Sequence, residues 1–271
     1  LPFEILSEFW IFLAIGFAAQ LVDGALGMAY GIISTTVLVS IGIPPAQASA
    51  ITHSAEVFTT GASAIAHIRS GNVDWSLVAR LTPAGIAGAV AGAVLVSQFN
   101  PELVRPFVAG WLLLMGFVLL FTALRKPRDR PPKVKGAIPL GLAGGFLDAS
   151  GGGGWGPVVT STLLGSGHAP RTTIGSVNTS EFAVTCAAAG AFAALIGIGH
   201  LEAVAGLIIG GVLAAPLAAH VVKLLPARIL MAFVGLLVIA LSAWQLRLLG
   251  IAALEFLTPD ALRNLAKPTS L

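Results

Sequence analysis

Laid on itself with an offset of 125 residues and no gap, this chain repeats its own unusual residues: Asp23 falls on Asp148, Gly27 on Gly152, Gly31 on Gly156 and Thr35 on Thr160. The register continues through Leu38 and Leu163, Gly42 and Gly167, Pro45 and Pro170, Glu56 and Glu181, and Thr60 and Thr185. It then reaches Pro101 with Pro226 and Gly110 with Gly235. A chain rich in alanine and glycine produces some coincidences, but not matched acids, prolines and threonines in one ungapped register. The chain is an internal duplication, so whatever one half folds into, the other must approximate.

Each half is built for lipid. Only 10% of the residues are charged and 56% are hydrophobic, against roughly 25% charged in soluble domains. Apolar runs such as 108–124 and 201–222 are long enough to be spans of about 20 residues. A net charge of +3 and a pI near 9.4 would suit nucleic acid, but the basic residues flank the apolar runs, where they set orientation, so no nucleic-acid partner is expected. Cys186, the one cysteine, excludes an internal disulfide and a thiolate metal cluster and reads as a small packing residue. The N-terminus shows neither a basic leader nor a small-residue cleavage site, so the first apolar run is expected to belong to the fold.

The expected fold is an all-α integral membrane protein of two homologous halves, each of about five helical segments, with 8–10 transmembrane segments in all. The first repeat covers 1–124, a basic linker 125–135, the second repeat 136–250 and a polar tail 251–271. The linker, Pro-rich and cationic, is expected on the cytoplasmic side. Long spans are predicted over 46–69, 75–98 and 102–124, and over 171–196, 201–222 and 227–249. Two shorter pieces flank a glycine segment in each half. In the second half, 136–147 and 157–166 would make helices of only about 18 and 15 Å, against a hydrocarbon core of roughly 30 Å. Together they make either one discontinuous crossing, giving parallel halves, or a re-entrant hairpin, giving inverted halves. Charge does not choose, because exchanging Arg171, Lys223 and Arg228 for Arg247, Arg263 and Lys267 leaves the cytoplasmic excess unchanged. Inverted repeats are favoured, since transporters with broken helices commonly pair such repeats around a midplane site.

The glycine segment of the second half reads Asp148-Ala-Ser-Gly-Gly-Gly-Gly-Trp-Gly-Pro157. Gly156 before Pro157 suits the first turn of a helix. A helix N-terminus offers unsatisfied amides and about half a positive charge, and glycines let an anion reach those amides. Gly24 and Gly27 in the first half, and Gly151, Gly152, Gly153 and Gly154 in the second, are therefore candidate substrate-binding positions. Close helix packing is the competing explanation for these glycines. Asp23 and Asp148 are expected to cap or brace the glycine turns through backbone amides; contact with a ligand or proton is the alternative.

The next span carries His53, Glu56 and Thr60, which recur as Asn178, Glu181 and Thr185. Spacings of three and seven residues place each trio on one helical face, and an acid inside a span is a functional candidate because its burial is costly. A carboxyl next to an anion is expensive to keep ionised, so a proton should accompany the anion. That makes Glu56 and Glu181 candidates for proton coupling; the alternative is that each accepts amides of the glycine segment. His53 and Asn178 suit a donor role toward substrate, with Ser54, Thr179, Thr35 and Thr160 as further hydroxyl ligands. His67, His168, His200 and His220 are scattered at span ends without metal-ligand spacing, so no metal site is expected and no cofactor is implied.

The segments DGALGMAYG and PPAQASAITHSAEVFTT, with DASGGGGWGP and HAPRTTIGSVNTSEFAVT in the second half, resemble the TauE/SafE sulfite exporter family of membrane permeases. The resemblance covers essentially residues 8–250. It implies a bacterial-type inner-membrane carrier for sulfite, sulfonates or related small oxyanions, often exporting the products of sulfonate breakdown. The two loops are unequal, with Leu26, Met28 and Ala29 standing where the second half has glycine. The function expected is secondary transport of a small oxyanion with protons across a lipid bilayer. An anion channel without proton coupling is the nearest rival. An intramembrane enzyme is the other class, but neither a Gly-x-Ser-x-Gly elbow nor a His-Glu-x-x-His motif is present. Oligomeric state is not encoded in any of these features.

Overall fold

The computed structural model describes residues 2–26, 28–124, 136–197, 199–224 and 227–256. The first repeat folds as α1 (Pro2–Leu26), α2 (Tyr30–Ser40), α3 (Pro45–Arg69), α4 (Trp75–Gln98) and α5 (Pro101–Leu124). The second folds as α6 (Ala137–Gly151), a π-helical turn (Gly156–Thr160) leading into α7 (Ser161–Gly165), then α8 (Pro170–Ile196), α9 (Leu201–Leu224) and α10 (Ala227–Phe256). Among the described residues there is no strand. Gly27, the basic linker and the tail beyond 256 lie outside the described residues.

Three boundaries differ from the expected ones. The piece before the first glycine segment is a 25-residue helix rather than a short one, whereas its counterpart α6 has 15 residues. Helix α6 also runs on into the glycine segment as far as Gly151, so Gly24 and Gly151 are both helical. At the other end α10 continues to Phe256, since nothing in Ile251-Ala-Ala-Leu-Glu-Phe256 breaks a helix.

The starts of the long helices follow from sequence. Pro45 and Pro170 open α3 and α8 at the first turn, where a missing amide proton costs nothing. Asp74 caps α4 by accepting from the amides of Ser76 at 2.9 Å and Leu77 at 3.2 Å. Helices α4, α5, α8 and α10 are long and apolar enough to cross a bilayer. The outer faces of α5, α9 and α10 carry exposed Phe107, Leu124, Val212, Phe233 and Leu236, while Thr35, Thr52, His53, Ser180 and Thr185 are buried. This inside-out distribution is that of a protein solvated by lipid.

The two halves interlock rather than stand side by side. Helix α1 packs on α9 and, equivalently, α6 packs on α4; α3 packs on α8, and α5 on α10. Small residues let the backbones close. A Cβ on Gly16 would meet the Leu207 backbone, and one on Gly141, the equivalent position, the Leu81 backbone. Gly210 is packed against Leu13 and Phe17, and its equivalent Gly85 against Trp155 and Val184.

These contacts also give direction. Gly206 abuts Phe9 and Phe12 whereas Gly210 abuts Leu13 and Phe17, so α1 and α9 run parallel. Gly141 meets Leu81 and Gly145 meets Gly85, so α6 and α4 run parallel too. Helix α3 runs antiparallel to its equivalent α8, with His53 beside Phe192, Gly61 beside Phe182 and Ser70 bonded to Arg171. Gly116 lies against Ile239 and Gly235 against Leu120, which makes α5 and α10 antiparallel as well.

Candidate functional site

Two broken helix pairs meet at the centre. In the first, the Asp23 carboxylate accepts from the Tyr30 amide at 3.2 Å; in the second, Asp148 Oδ1 accepts from the Trp155 amide at 2.9 Å. Both bonds span seven residues and both satisfy an amide at the start of the following helix, where no helical carbonyl is available. The two aromatic rings are buried. Each sends its polar tip to a carbonyl of another helix, Tyr30 Oη to Leu207 and Trp155 Nε1 to Val177. The sequence signal for this pair is an aromatic residue seven positions after each acid.

Between the turns lies a small cavity lined by Ala29, Gly31, Ile32 and Glu56 from the first repeat and by Gly154, Gly156, Pro157 and Glu181 from the second, with Asp148. The first eight are four pairs related by the repeat register, 29 with 154, 31 with 156, 32 with 157 and 56 with 181. The cavity therefore sits where the repeats are symmetric, and both glutamates reach it.

The glycine run divides its work. Helix α6 is capped by Gly152 at φ 72°, and the Gly153 amide donates to the Asp148 carbonyl at 3.0 Å. Gly153 lies so close to α2 that a Cβ there would stand 2.5 Å from Ile32 N and 2.7 Å from Gly31 C. Gly151 and Gly152 abut Trp111 and Thr35 in the same way. Gly151, Gly152 and Gly153 thus serve close packing of one repeat on the other, while Gly154 faces the cavity. The Trp111 indole, also unforeseen, holds the loop by donating to the Gly153 carbonyl at 3.0 Å.

Ala29, the counterpart of Gly154, adopts φ 124°, a conformation costly for any residue with a Cβ. Ala29→Gly is expected to stabilise the protein by about 1 kcal/mol, the strain relieved outweighing the added backbone entropy. A thermal-unfolding midpoint in detergent that fails to rise would count against that strain.

The polar face of α3 is knit to the second repeat. His53 Nε2 lies 3.1 Å from Asp148 Oδ2, His53 Nδ1 lies 2.8 Å from the Ser49 carbonyl, and Ser49 Oγ donates to the Ala149 carbonyl at 2.7 Å. The Glu56 carbonyl accepts from both Thr59 and Thr60, at 3.3 and 2.6 Å. Thr35 donates to Thr52 at 3.0 Å, whereas the hydroxyls of Thr160 and Thr185 are buried without a partner. Asn178 is buried on α8. Ser54 and Thr179 turn their hydroxyls back to the Ala50 and Gly175 carbonyls, each at 2.7 Å, and neither lines the central cavity.

Comparison with known proteins fixes the family. Residues 12–244 match the family model described as Sulfite exporter TauE/SafE. The chain belongs to the TauE/SafE family. It is also 42% identical over 244 residues to the "Probable membrane transporter protein YtnM" of Bacillus subtilis (strain 168), covering 86% of this chain and 81% of that one. No solved structure matches. This TauE/SafE protein is accordingly a membrane transporter, and the enzyme reading falls away.

The two ends of the α3 and α8 pair in this TauE/SafE protein are closed differently. At one end the Arg171 guanidinium bonds Asn72 and the Ser70 carbonyl, the latter at 3.3 Å, and the Asp74 amide donates to Ser176 at 2.8 Å. At the other end lies a second cavity, lined by Ala50, Ile51, Ser54, Phe192, Ala193 and Ile196 among others. Over it an exposed hydrogen bond of 3.1 Å joins His200 and Gln47.

Proposed function

We propose that this protein carries sulfite, an organosulfonate or a related small oxyanion through the central cavity, together with protons taken up at Glu56 and Glu181. The observation that carries this reading is the cavity itself, whose lining pairs one glutamate and one glycine-flanked helix start from each repeat. The helix starts at Tyr30 and Gly156 supply the positive ends of backbone dipoles. Asp148, Glu56 and Glu181 around the same space would repel an anion if all were ionised, so anion and proton should occupy the site together.

The repeats are inverted in this reading. The antiparallel runs of α3 against α8 and of α5 against α10 support it, because parallel repeats would align equivalent helices. With α1 parallel to α9, the chain must turn back between α1 and α3, which makes α2 and its equivalent re-entrant. Arg69 and Arg171 then share one face with the basic linker 125–135, the cytoplasmic face by the positive-inside rule. The membrane would be a bacterial inner membrane. Alternating access would open the Arg171 latch and close the opposite cavity, one repeat rocking on the other.

The test is sulfite flux into proteoliposomes under an imposed pH gradient, against empty vesicles, with sulfate and acetate as competitors. Flux that rises with the gradient and is inhibited by sulfate more than by acetate is expected. Sulfite flux indifferent to the gradient would indicate a channel. No sulfite flux from folded protein would remove sulfite as the substrate.

A further inference from the structure

The bond between His53 and Asp148 breaks the symmetry of the site, because the residue equivalent to His53 is Asn178. Its hydrogen count can be worked out from the partners. The Ser49 carbonyl can only accept, so His53 Nδ1, 2.8 Å away, must carry a hydrogen. The Ser49 hydroxyl lies 3.2 Å from the same nitrogen but has already donated its proton to the Ala149 carbonyl. With Nδ1 protonated, Nε2 faces Asp148 Oδ2 across 3.1 Å. A bare Nε2 against an ionised carboxylate would set lone pair against lone pair. One further hydrogen must lie between them, whether on the imidazole or on the carboxyl. Asp148 Oδ1 is occupied by the Trp155 amide, and the His53 side chain is fully buried, so solvent does not satisfy the imidazole.

We propose that His53 and Asp148 hold one proton between them and form the asymmetric step of the path by which a proton joins the anion. This rests on the transport reading above. Asp148 lines the central cavity with Glu56 and Glu181, and Glu56 sits one turn after His53 on α3. Behind the imidazole the Phe192 ring, 6.0 Å away between centroids, belongs to the wall of the second cavity. The pair thus stands between the two cavities, where a proton can pass from one side while the anion remains in the other. The titratable groups around it are Asp148 on α6, Glu56 on α3, Glu181 on α8, Asp23 on α1 and Tyr30 on α2. Ser49 is a positioning residue, fixing which nitrogen faces the carboxylate.

Two measurements on the full chain test this. In nanodiscs, ring-nitrogen NMR of histidine-labelled protein, with His53→Asn for assignment, should show a hydrogen on Nδ1 and a second shared with Asp148 at neutral pH. The second hydrogen should vanish in Asp148→Asn, whose amide can donate to Nε2 instead. A wild-type ring without a shared hydrogen overturns the proposal. In proteoliposomes the readout is sulfite accumulation at a fixed pH gradient relative to accumulation with the gradient collapsed. A carrier coupled to one proton gains about tenfold per pH unit, and His53→Asn should bring this ratio toward about one-tenth of the wild-type value. Because sulfite itself titrates near neutrality, wild type and variant are compared at the same gradient. A variant ratio equal to that of the wild type overturns the relay even if the shared hydrogen is present. Wild-type protein that moves no sulfite sinks the sulfite reading beneath it, and the relay with it, while the ring spectrum still decides whether the pair holds its proton.

Discussion

Gly153→Ala is expected to lower the recovery of folded protein sharply. The added methyl would stand 2.5 Å from Ile32 N and 2.7 Å from Gly31 C, both backbone atoms that no rotamer change can move. The residue also adopts φ 152°, a conformation rarely open to a side chain. Overpacking of about 1–3 kcal/mol and a dihedral penalty of about 1–2 kcal/mol add at one site. The combined cost of about 2–5 kcal/mol takes a large share of a total stability of about 5–15 kcal/mol, and it falls where the repeats meet. Gly197→Ala is the control. It has φ 74° with nothing within 4 Å of a built Cβ, so it carries a dihedral cost without a collision. Size-exclusion profiles of the two variants in detergent should separate sharply. Equal profiles would mean that the approach of the two broken helices is looser than the structure shows.

Glu56→Gln and Glu181→Gln are expected to reduce the gradient-driven component of sulfite flux by about tenfold or more, equivalent to at least about 1.4 kcal/mol of lost coupling. Glutamine keeps the shape and hydrogen-bonding capacity but cannot exchange a proton, so the change falls on coupling rather than on packing. The effects should be unequal. Glu56 is 5% exposed, with its Oε1 3.1 Å from the site of a Gly31 Cβ and its carbonyl bonded to two threonines; Glu181 is half-buried and its neighbour Thr185 has no partner. Glu56→Gln should therefore be the more damaging. Both variants retaining the wild-type gradient response would remove the glutamates from the proton path.

Much of the central site could be read from the repeat register because symmetry acts twice on sequence. A buried acid tolerated once is an accident of packing, but Glu56 and Glu181 at one register imply one environment, and both line one cavity. The register was less informative where residues differ. His53 and Asn178 suit a donor role toward substrate, and the structure adds a bond from His53 to Asp148, an interaction between residues 95 apart that no local spacing encodes. Ser54 and Thr179 read as hydroxyl ligands, and in the structure each bonds the carbonyl four residues earlier, as helical hydroxyls readily do. Nothing in a run of leucines and valines marks Trp111 as an indole that reaches a glycine carbonyl.

By itself the sequence determined that the chain is helical and membrane-embedded, that it is duplicated, that its apolar runs break at two acid-led glycine segments, and that it is TauE/SafE-like. Helicity, membrane embedding and the glycine breaks are properties of periodicity, composition and local backbone chemistry, the duplication is a match between residues 125 apart, and the family likeness is a resemblance of motifs. Tertiary structure alone decided the directions of the packed helices, since the flanking charges balance equally in either arrangement. It also decided which glycines pack and which face the cavity, because the collision a Cβ would meet depends on which distant residue arrives beside it, as Ile32 does at Gly153.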